Sequence, residues 1–232
     1  MRIAVTRLIG KEKDDAARCR QFGHECYPVS PLMAEVREDR VGSFVQAVEA
    51  NEFDCIFFTS AYPAKIIAPR LSRWPRVIAI GPRTAMTLGH FGIAAETLPS
   101  FYSRDFVPYL GAWIRGKRIG IPRAEVPNPL LIESIRNAGG IPIEIGVYAL
   151  IPTGNVLDLS RAEAILFTSA MSFSTAVYQS DAPLLKIAIG ESTGAVMRSG
   201  GVPPDVTGDG SLEGALKALN AYFAARRELA GD

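Results

Sequence analysis

Two stretches of this chain occur twice in the same order, and this duplication restricts the folds that the chain can adopt. "IFFTSA" at 56–61 aligns with "ILFTSA" at 165–170 at an offset of 109 residues. At the same offset, "IAIGPRT" at 78–84 aligns with "IAIGEST" at 187–193. These segments are named block B and block B′.

A second pair of segments has its own offset, 116 residues. "IAVTR" at 3–7 aligns with "IGIPR" at 119–123, and Gly23 then faces Gly139. These segments are named block A and block A′, so the order along the chain is A, B, A′, B′. One such match can arise by chance, but two that each keep their register indicate an internal duplication.

Each block alternates short apolar strands with amphipathic helices, the first helix at 12–22. Such alternation is typical of right-handed βαβ crossovers and parallel sheets. Apolar runs such as "VIAI" and "KIAI" are continuous, as in strands that are covered on both faces. The pattern predicts an α/β protein with two doubly wound parallel-sheet domains of similar size.

Two proline-containing segments are expected to be extended connectors: "YPVSPLMAEV" at 27–36 and "GVYALIPTG" at 146–154. Proline disfavours helix at its own position and at the residue before it. With the order A, B, A′, B′, two crossings between the domains would make one domain discontinuous. The spacing alone leaves this open.

Composition excludes several classes of function. The 25 basic and 24 acidic residues nearly balance, so no electrostatic footprint for nucleic acid is visible. No stretch approaches the roughly 18 apolar residues of a membrane span, and the N-terminal segment lacks the apolar region of a signal peptide. An odd number of cysteines (Cys19, Cys26 and Cys55) without a secretion signal favours a reducing cytoplasm, and Cys55 is expected in the core.

Known cofactor and catalytic motifs are missing from the sequence. Neither G-x-G-x-x-G after a strand nor G-x-x-x-x-G-K-[ST] occurs. His24 and His90 are the two histidines, are expected at the surface, and do not make a metal site or a Ser-His-Asp set. We therefore expect no cofactor and no metal.

Small polar residues recur where a predicted strand ends and a helix begins. Ligands of parallel sheets bind beyond the carboxyl ends of the strands, and helix N-termini bind anions through free N–H groups. Serine and threonine cap such groups, while glycine lets a ligand approach the backbone. The candidate binding residues are Thr59, Ser60, Gly81, Arg83, Thr84, Ser103, Thr168, Ser169, Gly190 and Thr193.

Arg7 and Arg123 occupy equivalent positions after the first strand of each A block. Arginine suits a carboxylate because its guanidinium group forms two parallel hydrogen bonds. The alternative is purely structural, since capping by these residue types is routine in α/β proteins. The duplication favours the binding hypothesis, because two domains that each present helix N-termini can share one anionic ligand.

The order of short motifs resembles the uroporphyrinogen-III synthase family over nearly the whole chain. The matching residues are "VTR" (5–7), "GHEC" (23–26), "FTS" (58–60), "AIGPRTA" (79–85), "GKRIGIPR" (116–123), "GGIPIEIGVY" (139–148), "FTS" (167–169) and "AIGESTG" (188–194). The resemblance implies two domains joined by a two-stranded linker, with the active site in a cleft between them. The implied domains are 1–32 plus 152–232, which is discontinuous, and 36–147, with linkers at 33–35 and 148–151.

The resemblance implies a cofactor-free enzyme that cyclises hydroxymethylbilane to uroporphyrinogen III in tetrapyrrole biosynthesis. The terminal hydroxyl leaves as water, the last pyrrole ring is attacked at its substituted carbon to give a spiro intermediate, and that ring is rejoined inverted. The eight carboxylates of this substrate are what the helix N-termini would bind. The implied protein is a cytoplasmic monomer that binds neither nucleic acid nor membrane. A transient contact with the deaminase that precedes it in the pathway is compatible with this.

Tyr148 matches the family's tyrosine at the second crossing, which implies that its phenol protonates the departing hydroxyl. The alternative is that this tyrosine only packs. Thr84 and Thr193 match family threonines and are expected to hold helix ends. Glu191 and Ser192 stand where the first copy has Pro82 and Arg83, so Arg83 is the stronger carboxylate contact.

Three other functions stay open from the sequence, one of them a regulatory protein that keeps this fold without the activity. A two-lobed binding protein for a small polyanionic ligand would use the same helix ends without catalysis. A nucleotide-dependent transferase would need a phosphate-binding fingerprint that the sequence lacks.

Overall fold

A computed structural model describes residues 1–9, 15–179 and 183–230, with the side chains of 227–230 excluded. The chain divides into two compact units. Unit 1 comprises Met1–Ala34 and Ile151–Asp232, and unit 2 comprises Glu35–Leu150. The chain therefore passes twice between the units, within the segments that were predicted to be extended connectors.

The strands, in chain order, are β1 (Arg2–Leu8), β2 (Glu25–Val36), β3 (Cys55–Phe58), β4 (Arg76–Ala79), β5 (Glu96–Thr97), β6 (Arg118–Ala124), β7 (Ile141–Pro152), β8 (Ala164–Phe167), β9 (Leu185–Ala188) and β10 (Val206–Thr207). The α-helices are α1 (Asp15–Gln21), α2 (Glu38–Glu49), α3 (Ala61–Ile67), α4 (Pro82–Gly89), α5 (Phe106–Leu110), α6 (Pro129–Asn137), α7 (Ala170–Ser174), α8 (Glu191–Ser199) and α9 (Leu212–Ala230). Short 3-10 helices lie at Ala68–Arg70, Ser103–Asp105 and Gly111–Ile114. Residues 12–14 of the helix expected at 12–22 lie outside the described residues.

The five strands of unit 1 form a parallel sheet in the order β10-β9-β8-β1-β2. Alternate residues of β1 face opposite sides, because Ile3 and Val5 pack with Leu212, whereas Ala4 packs with Met197. Both faces of this sheet are therefore buried. This is why the strands read as continuous apolar runs rather than as an alternating pattern.

Unit 2 contains a parallel sheet in the order β5-β4-β3-β6-β7. Cys55, Phe57, Phe106 and Ile135 belong to one buried cluster, in which the rings of Phe57 and Phe106 stack. Phe58 is also fully buried. Cys55 is a core residue, as predicted.

The two sheets share one strand order, and this is the structural form of the duplication. Unit 1 combines blocks A and B′, and unit 2 combines blocks B and A′. When the strands of each sheet are numbered from the first strand of its A or A′ block, followed by those of its B′ or B block, both sheets have the order 2-1-3-4-5, which is known from doubly wound folds. Strands β1 and β6 have the same length and burial pattern, and the β8–β9 register repeats that of β3–β4. The predicted doubly wound parallel sheets are confirmed.

Two features of the A block differ from expectation. Cys19 and Cys26 form a disulfide that links α1 to β2, a pairing that was not predicted from the sequence and that runs against the reducing compartment expected from the cysteine count. His24 is buried, so its predicted surface position is wrong. Its Nε2 lies 3.0 Å from Oδ1 of Asn220, and burial lowers the pKa of its imidazole. His90 is exposed as expected.

No helix in the described parts of the chain combines the length and apolar character needed to cross a bilayer.

Candidate active site

The carboxyl edge of the unit 2 sheet brings together residues that lie far apart in the sequence. Thr59 and Ser60 follow β3, and Gly81 follows β4. Strands β3 and β6 pair with Ile56 opposite Gly120, and this register places Arg123 level with Thr59. Block B and block A′ thus meet at one edge of one sheet.

Unit 1 repeats this arrangement with Thr168, Ser169, Gly190 and Arg7. Strands β1 and β8 pair with Val5 opposite Leu166, which places Arg7 level with Thr168. The predicted binding residues of each block therefore lie at equivalent points of the two sheets.

The two glycine turns have the same backbone conformation. Gly81 has φ −171° and ψ 178°, and Gly190 has φ −167° and ψ 177°, so both are extended N-caps. Neither residue has a side chain to cap α4 or α8. In α4, Pro82 has no N–H and the Thr84 N–H donates to the Gly81 carbonyl at 3.1 Å, so the Arg83 N–H is the one left for an anion. In α8 the N–H groups of the first turn, which begins at Glu191, are left for an anion. A Cβ at Gly81 would lie 3.1 Å from the Phe101 ring, and one at Gly190 would lie 2.9 Å from the backbone of Gly210.

The two serines that begin α3 and α7 differ in their bonding. The Ser169 hydroxyl accepts a hydrogen bond from the Ser172 N–H at 3.0 Å and so caps α7. Ser60 makes no such cap on α3. Its side chain instead lies close enough to Tyr148 to lower the pKa of that phenol in part. Tyr148 stands where unit 1 has Leu32.

Tyr148 is 5% exposed, and its ring lies against Tyr62 with the centroids 4.7 Å apart. Burial raises the pKa of the phenol above its usual value of 10. The nearby Ser60 hydroxyl and the positive charge of Arg123 lower the pKa in part, while Tyr62 raises it. Tyr148 therefore keeps its proton at neutral pH and can donate it.

The two equivalent arginines each contact a carboxylate of their own unit. Arg7 binds Asp15 through Nε at 2.5 Å and Nη2 at 3.0 Å. Arg123 binds Glu144 through Nη1 at 2.7 Å.

The threonines divide into two kinds. Thr84 and Thr193 are buried in the first turns of α4 and α8, so they pack inside their units rather than facing solvent. Thr168 is tied to Thr6, since its Oγ1 donates to the Thr6 carbonyl at 2.6 Å. Thr59 makes no side-chain hydrogen bond within unit 2, every residue of which is described.

The two remaining predicted binding residues of unit 2 are Arg83 and Ser103. Arg83 lies exposed in the first turn of α4. Ser103 begins a 3-10 helix of three residues rather than an α-helix, and no side-chain cap is formed there. Ser211, its counterpart before α9, accepts a hydrogen bond from the Gly214 N–H at 2.9 Å.

Sequence reasoning missed Phe101 and Tyr102. Both rings are more than half exposed, and Phe101 has φ 63°, a conformation that a bulky residue rarely adopts. Such strain concentrates at functional sites. The residue that lies against the glycine turn in unit 1 is Gly210, for which positive φ costs little. The signal in the sequence was two adjacent aromatic residues in the loop "PSFYS".

Among the residues with described positions, no group of three or more His, Cys, Asp or Glu side chains could hold a metal ion.

Comparison with known proteins gives a family match over most of the chain. The sequence model described as uroporphyrinogen-III synthase HemD matches residues 13–216. No curated protein sequence matches.

Two solved structures share the fold. Uroporphyrinogen-III synthetase from Helicobacter pylori has a TM-score of 0.61 at 15% identity and covers 95% of this chain and 99% of that one. A mutant uroporphyrinogen III synthase from Thermus thermophilus has a TM-score of 0.51 at 16% identity, with 98% and 99% covered.

Proposed function

The chain belongs to the uroporphyrinogen-III synthase family, and we propose how its own residues perform the reaction of that family. It is a cyclising lyase of tetrapyrrole biosynthesis that converts hydroxymethylbilane to uroporphyrinogen III with loss of water and inversion of the terminal pyrrole ring. The alternative, a binding protein without catalysis, is not favoured by a family match of this extent.

We propose that Tyr148 is the acid of the first step. Its phenol donates a proton to the terminal hydroxyl of the substrate, the C–O bond breaks, and water leaves an azafulvene cation. The substituted carbon of the last ring attacks this cation and gives the spiro intermediate. That ring is then released and rejoined through its unsubstituted carbon, which loses a proton. The proton returns to the Tyr148 phenolate, so the enzyme is regenerated and the net change is loss of one water.

The observation that carries this proposal is the environment of Tyr148. The phenol is buried against the Tyr62 ring, which raises its pKa, while Ser60 and Arg123 lie close enough to favour its ionised form in part. A general acid must be protonated at working pH, as this phenol is, and neighbours that favour the phenolate help it to give up the proton.

Backbone amides are proposed to hold the substrate carboxylates. The Arg83 N–H of α4 and the first-turn N–H groups of α8 bind anions without a fixed side chain, and the helix dipole adds about 0.3–1 kcal/mol for each exposed contact. Thr59 and Arg83 add contacts beside α4. Phe101 and Tyr102 are proposed to pack against pyrrole rings through their exposed faces.

We also propose the domain assignment expected from the sequence, with 1–32 plus 152–232 and 36–147 as domains and 33–35 and 148–151 as linkers. The division of contacts in the chain supports it. The enzyme is proposed to act as a cytoplasmic monomer that meets the preceding deaminase only transiently.

The experiment that tests the function supplies freshly prepared hydroxymethylbilane to the purified chain. The products are oxidised and the porphyrin isomers are resolved. Spontaneous closure omits the inversion and yields isomer I, so an excess of isomer III is the expected result. Isomer I alone, formed at the uncatalysed rate, would refute the proposed function.

A further inference from the structure

The internal duplication provides two arginines at equivalent positions whose guanidinium groups are used differently. Arg7 ends the first strand of block A, and Arg123 occupies the same place in block A′. Their carboxylate partners are not equivalent. In the alignment of the two blocks, Asp15 corresponds to Leu131 of unit 2, and Glu144 corresponds to Pro28 of unit 1. The difference between the two arginines is therefore built into the sequence.

The Nε–Nη2 edge of Arg7 is filled from within unit 1. Nε and Nη2 donate to the two carboxylate oxygens of Asp15 at 2.5 and 3.0 Å. Asp15 is 8% exposed, so it cannot leave this pair without becoming a buried, less well-paired carboxylate. Arg7 is therefore committed to holding α1.

The same edge of Arg123 is unused. Its bond to Glu144 comes from Nη1. Its Nε is shielded from solvent and has no hydrogen-bond partner, and its Nη2 makes no hydrogen bond within unit 2, which is described throughout. A buried donor without a partner is costly, so this edge gains from a carboxylate that reaches it.

Neighbouring side chains show the same contrast between the units. In unit 1, Thr168 is hydrogen-bonded to Thr6. The residue of unit 2 that aligns with Thr6 is Pro122, which has no hydroxyl group. Thr59, level with Arg123, is thereby left without that partner. Glu144 is also easier to displace than Asp15, because its side chain is 31% exposed and makes one bond.

We propose that a carboxylate of the substrate pairs with the Nε–Nη2 edge of Arg123, in the place that Asp15 takes on Arg7, and that Arg7 is a structural residue. This inference rests on the proposed function. A carboxylate of hydroxymethylbilane loosens Arg123 from Glu144, and the freed guanidinium group rotates so that Nε is no longer covered. Thr59, which the strand register places level with Arg123, offers a further hydrogen bond.

The position of Arg123 also connects binding to the proposed acid. Its charge is close enough to Tyr148 to act on the ionisation of that phenol. This positive charge favours the phenolate that remains once the proton has been given up, so Arg123 serves both the bound carboxylate and the first step.

Four variants test the assignment: R123Q, E144Q, D15N and R76Q. Two quantities are measured for each, the KM for hydroxymethylbilane and the Kd for uroporphyrin III, a stable octacarboxylate that needs no turnover. R123Q is expected to raise both by about 10- to 100-fold, the loss of a two-bond ion pair. E144Q is expected to lower both by about two- to fivefold, since the competing carboxylate is gone.

The other two variants are controls. D15N removes the partner of Arg7 and is expected to lower the Tm by at least about 3 °C with no change in Kd. R76Q removes an ion-paired arginine from the amino end of β4 and is expected to leave the Kd unchanged.

The inference is overturned if R123Q leaves the Kd within twofold of the parent, or if E144Q weakens binding. A folded R123Q whose Tm falls as far as that of D15N would likewise make Arg123 structural. Failure of the parent chain to form isomer III would instead refute the proposed function, and the uroporphyrin III measurement would still decide the carboxylate site.

Discussion

The rings of Tyr62 and Tyr148 meet at 67° with their centroids 4.7 Å apart. This edge-to-face contact fixes the Tyr148 ring, and such pairs contribute about 0.5–1.5 kcal/mol beyond the area that they bury. The residues of unit 1 that align with Tyr62 and Tyr148 are Met171 and Leu32. The duplicated fold has therefore placed its tyrosine pair in one unit only, beside Arg123 and Ser60.

The first prediction concerns pH. The pKa of Tyr148 is raised, chiefly by burial, so the folded state prefers the neutral phenol. Its contribution to stability is fully present below the unfolded pKa of about 10 and is lost as the pH rises through the folded pKa. The free energy of unfolding should fall above pH 10 by less in Y148F than in the parent chain. Identical decreases would show that Tyr148 does not titrate differently on folding.

The second prediction compares Ser169 with Ser60. Because Ser169 caps α7 and Ser60 caps no helix, S169A should lower the free energy of unfolding by about 1 kcal/mol and S60A by less than about 0.5 kcal/mol. Urea denaturation of both variants gives the comparison. Equal losses would mean that Ser60 also stabilises a helix end.

A third prediction concerns the glycine turns. In G190A the new methyl group would meet the backbone of Gly210 at 2.9 Å, and backbone cannot move aside cheaply. In G81A it would meet the side chain of Phe101, which is exposed and can rotate. G190A should therefore cost about 1–3 kcal/mol of stability and G81A less than about 1 kcal/mol. A larger loss in G81A would show that the Phe101 loop is rigid.

A fourth prediction concerns the thiols. Burial raises the pKa of the Cys55 thiol to about 12, so it stays protonated and unreactive at neutral pH in the folded chain. Cys19 and Cys26 are joined. A thiol reagent should detect about one thiol per chain after unfolding without reductant and about three after reduction. Three thiols without reductant would contradict the disulfide.

The fold could be predicted from the sequence because the duplication repeats strand, turn and helix at constant offsets. The offset of 116 between 3–7 and 119–123 reappears as two strands of equal length and burial, β1 and β6. Local patterns of this kind depend on residues that are close in the chain, and they survive in the structure.

The candidate site was less accessible to such reasoning. The arginine that is held by a carboxylate of its own unit differs from the one that can bind substrate because of Asp15 and Glu144. Neither of these acidic residues has a counterpart in the other block. The positive φ of Phe101 follows from the path of a loop, and the burial of His24 follows from its contact with the distant α9. These features arise from packing between separate segments, which periodicity does not encode.

Single-turnover kinetics of Y148F and Y62F with hydroxymethylbilane test the account most directly. Y148F keeps the ring and its contacts but loses the proton donor, so its rate of isomer III formation should fall about 100-fold, with the half-saturating concentration nearly unchanged. Y62F is the matched control and should stay within about threefold of the parent chain. A Y148F rate within threefold of the parent would contradict the proposal that Tyr148 protonates the leaving hydroxyl.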